Sequence, residues 1–383
     1  MKVFNSLDGK QRKTIILHDT FLYKGWWERL ILMMAKALDC DIASGFFSRG
    51  SFNLRDEWFQ GKMIEVSSEV FKKWYRHLKL KQAFLFKTKF LQDYDTVIFS
   101  WDCISAIRNC KKDSKKIYYC HTPPRYLYDL RGEYLKKIPN YIKPAFNWIS
   151  WLFRKMYEKE VKQFDIILSN SINTWKRLKH FTWENSDVLY PPVELDTFQW
   201  IDQGDYYLSV SRLSTAKRID NIVKAFKQMP DKKLVVIYGI NDPQKEEIFE
   251  LAKDCTNIEF VTCPWNEWFT DYVGNSIAWI CIPIDEDFWM VPVESMSAGK
   301  PVIWVDEGWI KESVINDETW VLIPEWGAVD DIITAVNYLT PKVALSMKTR
   351  CIERANDFSY WEFEKKIREF VSPPLTPSSQ GEE

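Results

Sequence analysis

The chain of 383 residues has only 13 glycines, where average usage of about 7% would give roughly 27. Glycine makes tight turns and lets backbone approach a ligand closely, so a chain this poor in it has few ways to do either. No Cys-x-x-Cys pair occurs among its eight cysteines (Cys40, Cys103, Cys110, Cys120, Cys255, Cys263, Cys281 and Cys351), and there are only four histidines. That usage argues against zinc, and no metal is expected. Also missing is any run near the ~20 apolar residues of a membrane span. The first apolar stretch, Thr14 to Leu17, is too short for a leader. Free thiols without a leader are expected of a cytoplasmic protein.

In excess is tryptophan, at 19 residues. With 46% hydrophobic and 27% charged residues, the composition excludes a disordered or fibrous chain and is long enough for two domains. The formal net charge of −1 conceals a dipole. Residues 1–193 hold 34 Lys and Arg against 20 Asp and Glu, a balance of +14; residues 194–383 hold 18 against 33, a balance of −15. A basic half suits nucleic acid, an anionic membrane surface or a phosphorylated ligand. No nucleic-acid recognition motif accompanies it, so nucleic acid is not expected.

Short apolar runs alternate with amphipathic ones. Thr14–Leu17, Asp41–Phe47, Thr96–Ser100, Lys116–Cys120, Ile166–Ser169 and Val188–Tyr190 read as buried strands, with helices such as Glu28–Leu38 and Tyr157–Phe164 between them. After Pro191-Pro192 the alternation restarts. Strands are expected at Tyr206–Val210, Lys233–Tyr238, Ile258–Thr262, Ile277–Ile282, Pro301–Val305 and Trp320–Ile323, and helices at Ile219–Gln228, Pro243–Lys253, Val293–Ala298 and Val329–Leu339. The pattern predicts an α/β protein of two doubly wound, Rossmann-like domains. The divisions are 1–193, 194–357, a helix at 358–371 and a disordered tail at 372–383. Within the first, Val70–Gln92 carries seven Lys or Arg and no acid. It reads either as an amphipathic segment lying on anionic lipid or as a solvated helix face covering the core.

Three motifs carry chemistry. Glu286 and Glu294, eight apart in Glu286-Asp-Phe-Trp-Met-Val-Pro-Val-Glu294, bridge a strand end and a helix start. Backbone N–H groups between them, those of Met290 and Val291 included, would point at an anion. Helix-dipole stabilisation alone would also explain Glu294. Arg212 and Lys217 lie on a loop between a strand and a helix, where two cations can clamp a pyrophosphate. Cations at a helix start oppose its dipole, which speaks against mere solvation. His121, in Cys120-His-Thr-Pro-Pro-Arg-Tyr-Leu-Tyr-Asp129, follows a strand and is held rigidly by two prolines. A lone histidine there could equally be structural.

Together the three resemble the two-domain retaining glycosyltransferases of family 4, with the GT-B fold, from about Ile15 to about Phe370. The resemblance implies that the two domains face across a cleft and that the last helix, Tyr360–Phe370, crosses back to the first domain. It implies that Glu286 touches the donor sugar and Glu294 the nucleotide ribose, while Arg212 and Lys217 bind the donor pyrophosphate. Phe288, Trp289, Met290, Val291 and Gly25 complete the donor side. His121 matches the active-site histidine near the transferred sugar. Asp19, Trp26, Trp27, Arg125, Tyr126 and Asp129 join it on the acceptor side. The His121–Asp129 run looks like members that add mannose.

The implied reaction is metal-independent transfer with retention, without a cofactor. A hexose, mannose from GDP-mannose in first place, passes to a lipid-linked or surface-glycan acceptor. The location expected is cytoplasmic, peripheral to the inner face of a membrane. Two other readings remain open: a nucleotide-sugar epimerase of the same fold, and a non-catalytic relative that binds sugar or membrane.

The chain departs from the family where the family uses glycine. Gly-Gly before the first helix reads Gly25-Trp26-Trp27, Glu-Asp-Phe-Gly reads Glu286-Asp287-Phe288-Trp289, and a later Gly-Gly reads Gly308-Trp309. An indole cannot take positive φ cheaply, nor let a backbone N–H reach a phosphate. The tryptophans could be sugar-stacking platforms or marks of an inactive relative. A gene whose UGA codons stand for glycine, translated with UGA as tryptophan, would also produce them. Changing Trp26, Trp27, Trp58, Trp74, Trp101, Trp175, Trp183, Trp265, Trp268, Trp279, Trp289, Trp304, Trp309 and Trp320 to glycine would restore ordinary totals of both.

Overall fold

The computed structural model describes residues 13–53, 59–69, 73–136, 138–239, 242–262, 267–284, 290–306, 312, 315, 318–324 and 326–372. The chain divides into two compact units, one of residues 1–191 with 361–383 and one of 192–360.

The first unit is built on seven parallel strands: β1 (Thr14–His18), β2 (Asp41–Ser44), β3 (Met63–Glu65), β4 (Thr96–Ser100), β5 (Lys115–Cys120), β6 (Ile166–Ser169) and β7 (Asp187–Val188). Their order is β3-β2-β1-β4-β5-β6-β7. The strands are near-continuous apolar runs because both sheet faces are covered, as parallel sheets require. Between strands run α1 (Trp26–Leu38), α2 (Lys73–Phe86), a 3-10 helix at Trp101–Asn109, α3 (Arg131–Lys136), α4 (Lys143–Val161) and α5 (Ile172–Thr182). Leu17, Phe46, Leu80, Phe84, Phe99 and Tyr118 are buried together in the core. A serine caps α5: the Ser171 Oγ accepts from the Thr174 N–H at 3.0 Å, satisfying one of the donors a helix start leaves open.

The stretch Val70–Gln92 is largely α2. Leu80, Ala83 and Phe84 bury it against the core, and Lys81 pairs with Glu160 at 3.7 Å. The described part thus covers the core, with Leu78 and Phe86 left exposed.

The second unit repeats the design with six parallel strands in the order β10-β9-β8-β11-β12-β13. They are β8 (Tyr206–Val210), β9 (Lys233–Tyr238), β10 (Ile258–Thr262), β11 (Trp279–Cys281), β12 (Val302–Val305) and β13 (Trp320–Ile323). The helices are α6 (Ile219–Lys227), α7 (Lys245–Ala252), α8 (Glu267–Gly274), α9 (Val291–Ser297), α10 (Val329–Tyr338) and α11 (Pro341–Asn356). On α6, Ile219, Ile222, Val223 and Phe226 are buried, the i, i+3, i+4, i+7 stripe of a core-facing helix. A last helix, α12 (Tyr360–Val371), runs from the end of this unit into the first. There the Lys115 ammonium donates to the carbonyl of Ser372 at 2.8 Å.

Both sheets carry the doubly wound order in which the chain reverses direction across the first strand. The α/β expectation holds. So does strand placement: six of the predicted runs, Thr96–Ser100, Ile166–Ser169, Tyr206–Val210, Lys233–Tyr238, Ile258–Thr262 and Trp320–Ile323, keep their bounds in the structure. All the described cysteines are free thiols. No cluster of His, Cys, Asp or Glu able to hold a metal occurs among the described residues.

Candidate active site

In a parallel sheet every strand ends on the same edge, and in each unit several of the described candidate residues follow strand ends there. In the first unit, β1 ends at His18, β4 at Ser100, and His121 follows β5. His18 and Ser100 are register partners, as are Ser100 and Tyr119. That register brings the side chains into line. The Ser100 Oγ lies 3.0 Å from the His18 Nδ1 and 2.7 Å from the His121 Nε2. All three residues are buried. Burial pushes the His18 ring down to about 3, against a weaker opposing hydrogen bond that the ring donates to the Thr20 backbone. Burial, with His18 beside it, also holds His121 well below the usual histidine range. Both rings are neutral at pH 7. Neither His18 nor Ser100 was named from the sequence; a histidine ending a strand was the available signal.

Two indoles cover His121. Trp101 stacks on it with centroids 4.9 Å apart, and Trp27 meets it edge-on at 4.5 Å. Trp101 sits at φ 70°, and Trp183, which caps the end of α5, at φ 65°. Left-handed backbone of this kind favours glycine.

Asp19 follows His18, and its carboxyl is raised well above the usual range by burial and by neighbouring Asp102. The Tyr126 phenol is also pushed up, first by burial and then by Asp102 and Asp19. These acidic groups and Tyr126 therefore share one neighbourhood. Arg125 and Asp129 turn to each other in an ion pair at 2.9 Å, with Arg177 3.6 Å from Asp129. Gly25 precedes α1 in extended backbone. The turn it begins already holds an anion: backbone hydrogen bonds from Leu22, Tyr23 and Gly25 support the Glu28 carboxylate, whose pKa burial nonetheless raises. A Cβ on Gly25 would come within 2.6 Å of that carboxylate. Trp26 opens the helix with the Arg29 guanidinium 5.6 Å from its ring centre.

In the second unit, Arg212 and Lys217 lie on the turn from β8 to α6, Arg212 exposed and Lys217 buried. The turn ends at Arg218, at φ 51°. It touches the segment after β11, where the Ile284 N–H donates to the Ala216 carbonyl at 2.9 Å. Lys217 is thereby beside the chain that leads to the glutamate pair. Glu286, Phe288 and Trp289 lie outside the described residues. Met290 and Val291 are buried at the start of α9, and Glu294, also buried, stands in its first turn.

A residue not foreseen ties this edge together. One Asp242 oxygen accepts from the Leu213 N–H at 2.7 Å and from the Gly239 N–H at 2.8 Å. It joins the turn after β8 to the turn after β9. Gly239 allows the approach, since a Cβ there would sit 2.9 Å from the carboxylate.

Residues 196–357 match the family described as Glycosyl transferases group 1. An alpha-1,3/1,6-mannosyltransferase ALG2 of Candida glabrata is 22% identical over 53% of this chain and 53% of its own length. The ALG2 protein of Dictyostelium discoideum is 25% identical over 87% of this chain and 85% of its own. The chain spans about half the length of the first curated relatives it matches. Among solved structures, Anabaena HepE in complex with UDP and glucose gives a TM-score of 0.72 at 14% identity, covering 94% of this chain and 99% of that one. Sucrose-phosphate synthase of Thermosynechococcus elongatus gives 0.73 at 14% identity, covering 94% and 98%. The fold is therefore GT-B.

Proposed function

We propose that this chain, a GT-B protein whose residues 196–357 form a group 1 glycosyl transferase domain, is a retaining glycosyltransferase. It would move a hexose, mannose first, from a nucleotide-diphosphate sugar to a lipid-linked or surface-glycan acceptor. The observation that carries this reading is the hydrogen bond from Ile284 to Ala216. It sets the Arg212–Lys217 turn against the segment that leads to Glu286 and Glu294, inside the matched domain. That the ALG2 relatives are mannosyltransferases supports mannose, with GDP-mannose as the donor to try first.

In this reading the bond from the sugar C1 to the diphosphate oxygen breaks while C1 bonds to the acceptor oxygen on the same face. The acceptor's proton passes to the departing diphosphate, so the charges balance without metal or cofactor. Arg212 and Lys217 take up the negative charge that grows on the leaving group. Glu286 holds the transferred sugar, Glu294 the ribose, and His121 a sugar hydroxyl.

Contact with an anionic membrane surface is part of the same reading, and α4 supports it better than the Val70–Gln92 segment. Outward on α4 stand Trp148 (65% exposed) and Trp151 (57%), with Leu152 beside them. Lys155 and Lys159 follow on the same side. Tryptophan is at home at the membrane interface, and lysine adds attraction to anionic lipid. Among the described residues, no helix is long and apolar enough to cross a membrane.

The test is incubation with a panel of nucleotide sugars, GDP-mannose included, and a polyprenyl-diphosphate glycan acceptor, with release of nucleoside diphosphate as the readout. Release dependent on both substrates is expected. No release from any donor, by this chain or by its Trp27→Gly, Trp101→Gly variant, would overturn the reading.

A further inference from the structure

His121 is one end of a hydrogen-bonded line, His121–Ser100–His18, that crosses β5, β4 and β1 at the edge of the first sheet. Ser100 is the middle of it and carries one proton. Its hydroxyl can donate to one ring nitrogen while accepting from the other, so the two rings cannot choose their tautomers independently. If the His121 Nε2–H donates to Ser100, the hydroxyl donates to a bare His18 Nδ1. If the hydroxyl donates to His121 instead, His18 must hold its proton on Nδ1. Both rings are neutral because of burial; a third arrangement, with both rings donating to the hydroxyl oxygen, would leave the proton of the buried Ser100 without an acceptor.

The surroundings choose between the two. The His121 Nδ1 is buried and has no hydrogen-bond partner. A buried N–H without an acceptor is a rarer fault than a lone pair without a donor. The proton of His121 therefore belongs on Nε2, and the His18 proton on its own Nε2. The backbone of Thr20 raises the His18 pKa by hydrogen bonding, which is the effect of a ring N–H donating to a carbonyl. The position of the His121 ring is set separately. Its backbone carbonyl accepts from the Thr174 hydroxyl at 3.2 Å, and Trp27 and Trp101 pack on its faces and edge.

We propose that His18 and Ser100 are positioning residues that lock His121 with its Nδ1 bare, so that this nitrogen accepts a hydrogen bond from a hydroxyl of the bound sugar. The inference rests on reading His121 as part of the transfer site. Packing decides where the ring stands; the serine relay decides which nitrogen carries the proton. A site built to receive a hydroxyl proton rejects a ligand that lacks it, because the buried nitrogen stays unpaired.

The experiment is long-range 1H–15N correlation on histidine-labelled full-length chain at pH 7, with variants assigning the signals. Wild type is expected to show His121 as the Nε2–H tautomer. His18→Phe keeps the ring's size but removes the acceptor, freeing the Ser100 hydroxyl to turn round. The Nδ1–H form of His121, absent from the wild type, is then expected to appear in measurable proportion. Ser100→Ala should release the tautomer to a mixture, and Ser100→Thr, which keeps the hydroxyl, should restore the wild-type signal. A wild-type His121 in the Nδ1–H form, or one unmoved by Ser100→Ala, overturns the proposal. The Ser100 pair decides the matter if His18→Phe does not fold. The readout needs no turnover: a locked tautomer in a chain that releases no nucleotide would sink the transfer reading alone, and an unlocked one in an active enzyme would sink only this proposal.

Discussion

Trp101 lies flat on His121, ring centroids 4.9 Å apart and planes 18° apart, and it does so from a backbone at φ 70°. The residue that covers the candidate catalytic histidine is thus one whose backbone suits glycine. An L-residue with a side chain held there costs about 1–2 kcal/mol. Its own stacking on His121 offsets part of that.

Removing the cover should expose the histidine. With Trp27→Gly and Trp101→Gly together, His121 is expected to react with diethylpyrocarbonate, followed by peptide mass spectrometry, while in the chain as written it stays protected. Nucleotide-sugar binding by calorimetry should strengthen in the same variant. Equal protection and equal affinity would show that the indoles do not close the site.

Trp183 separates backbone strain from packing, because it is 80% exposed while at φ 65°. Trp183→Gly should raise stability by about 1 kcal/mol, read as a higher urea midpoint. The gene is expected to carry UGA at codons 101 and 183, with glycine at both in peptides from the native cell. UGG at those codons would refute the recoding explanation, whatever the stability result.

Acid should weaken the first unit through its histidines. The His18 ring has an ordinary value of 6.5 and is pushed down to about 3 in the fold. Unfolded chains bind the proton below 6.5 and the folded one does not, so stability falls as pH drops through this window. The slope for His18 is about 1.4 kcal/mol per pH unit, or roughly 2 kcal/mol by pH 5. His121 acts in the same sense. Asp19, whose pKa is raised, acts in the opposite sense, gaining stability as pH falls. Urea midpoints at pH 7 and pH 5 should draw apart less in His18→Phe than in wild type. Identical pH dependence in the two would contradict the assignment.

Membrane contact is testable on α4 alone. Trp148→Ser with Trp151→Ser should reduce co-sedimentation with phosphatidylglycerol vesicles by tenfold or more, since each buried indole adds on the order of 1–2 kcal/mol or more. Neutral phosphatidylcholine vesicles should bind the wild type weakly. Unchanged sedimentation would remove α4 from the reading.

On the proposed reading, in which Glu286 holds the donor sugar, Glu286→Ala should abolish product formation. Comparable turnover would remove Glu286 from the site and favour a role without chemistry.

The strands were legible because buried parallel strands are continuous apolar runs with sharp polar ends. β3 was missed because Met63 and Glu65 are exposed and Ile64 only partly covered. For α4, the foreseen helix was Tyr157–Phe164 and the real one is Lys143–Val161. Its first half turns tryptophans outward, so the hydrophobic periodicity that marks a core-facing helix is absent there. Asp242 and Ser100 escaped notice because a single Asp or Ser at a strand end is common, and only contact with distant chain gives either a task.

The sequence by itself determined the alternation of strand and helix, the break between two units and the place of His121 and of the Arg212–Lys217 turn just after strands. Parallel strands share one edge, so this was enough to say that the motifs of each unit would cluster. The surplus of tryptophan over glycine was visible there too, but all fourteen positions looked alike. Only the tertiary structure distinguished them. Trp101 and Trp183 are in left-handed backbone, whereas Trp279, Trp304 and Trp320 fill the core of the second sheet. It also decided that His18, 82 residues before Ser100, would share its hydroxyl with His121. The order of β1, β4 and β5 in the sheet makes those residues neighbours, and no local pattern records that order.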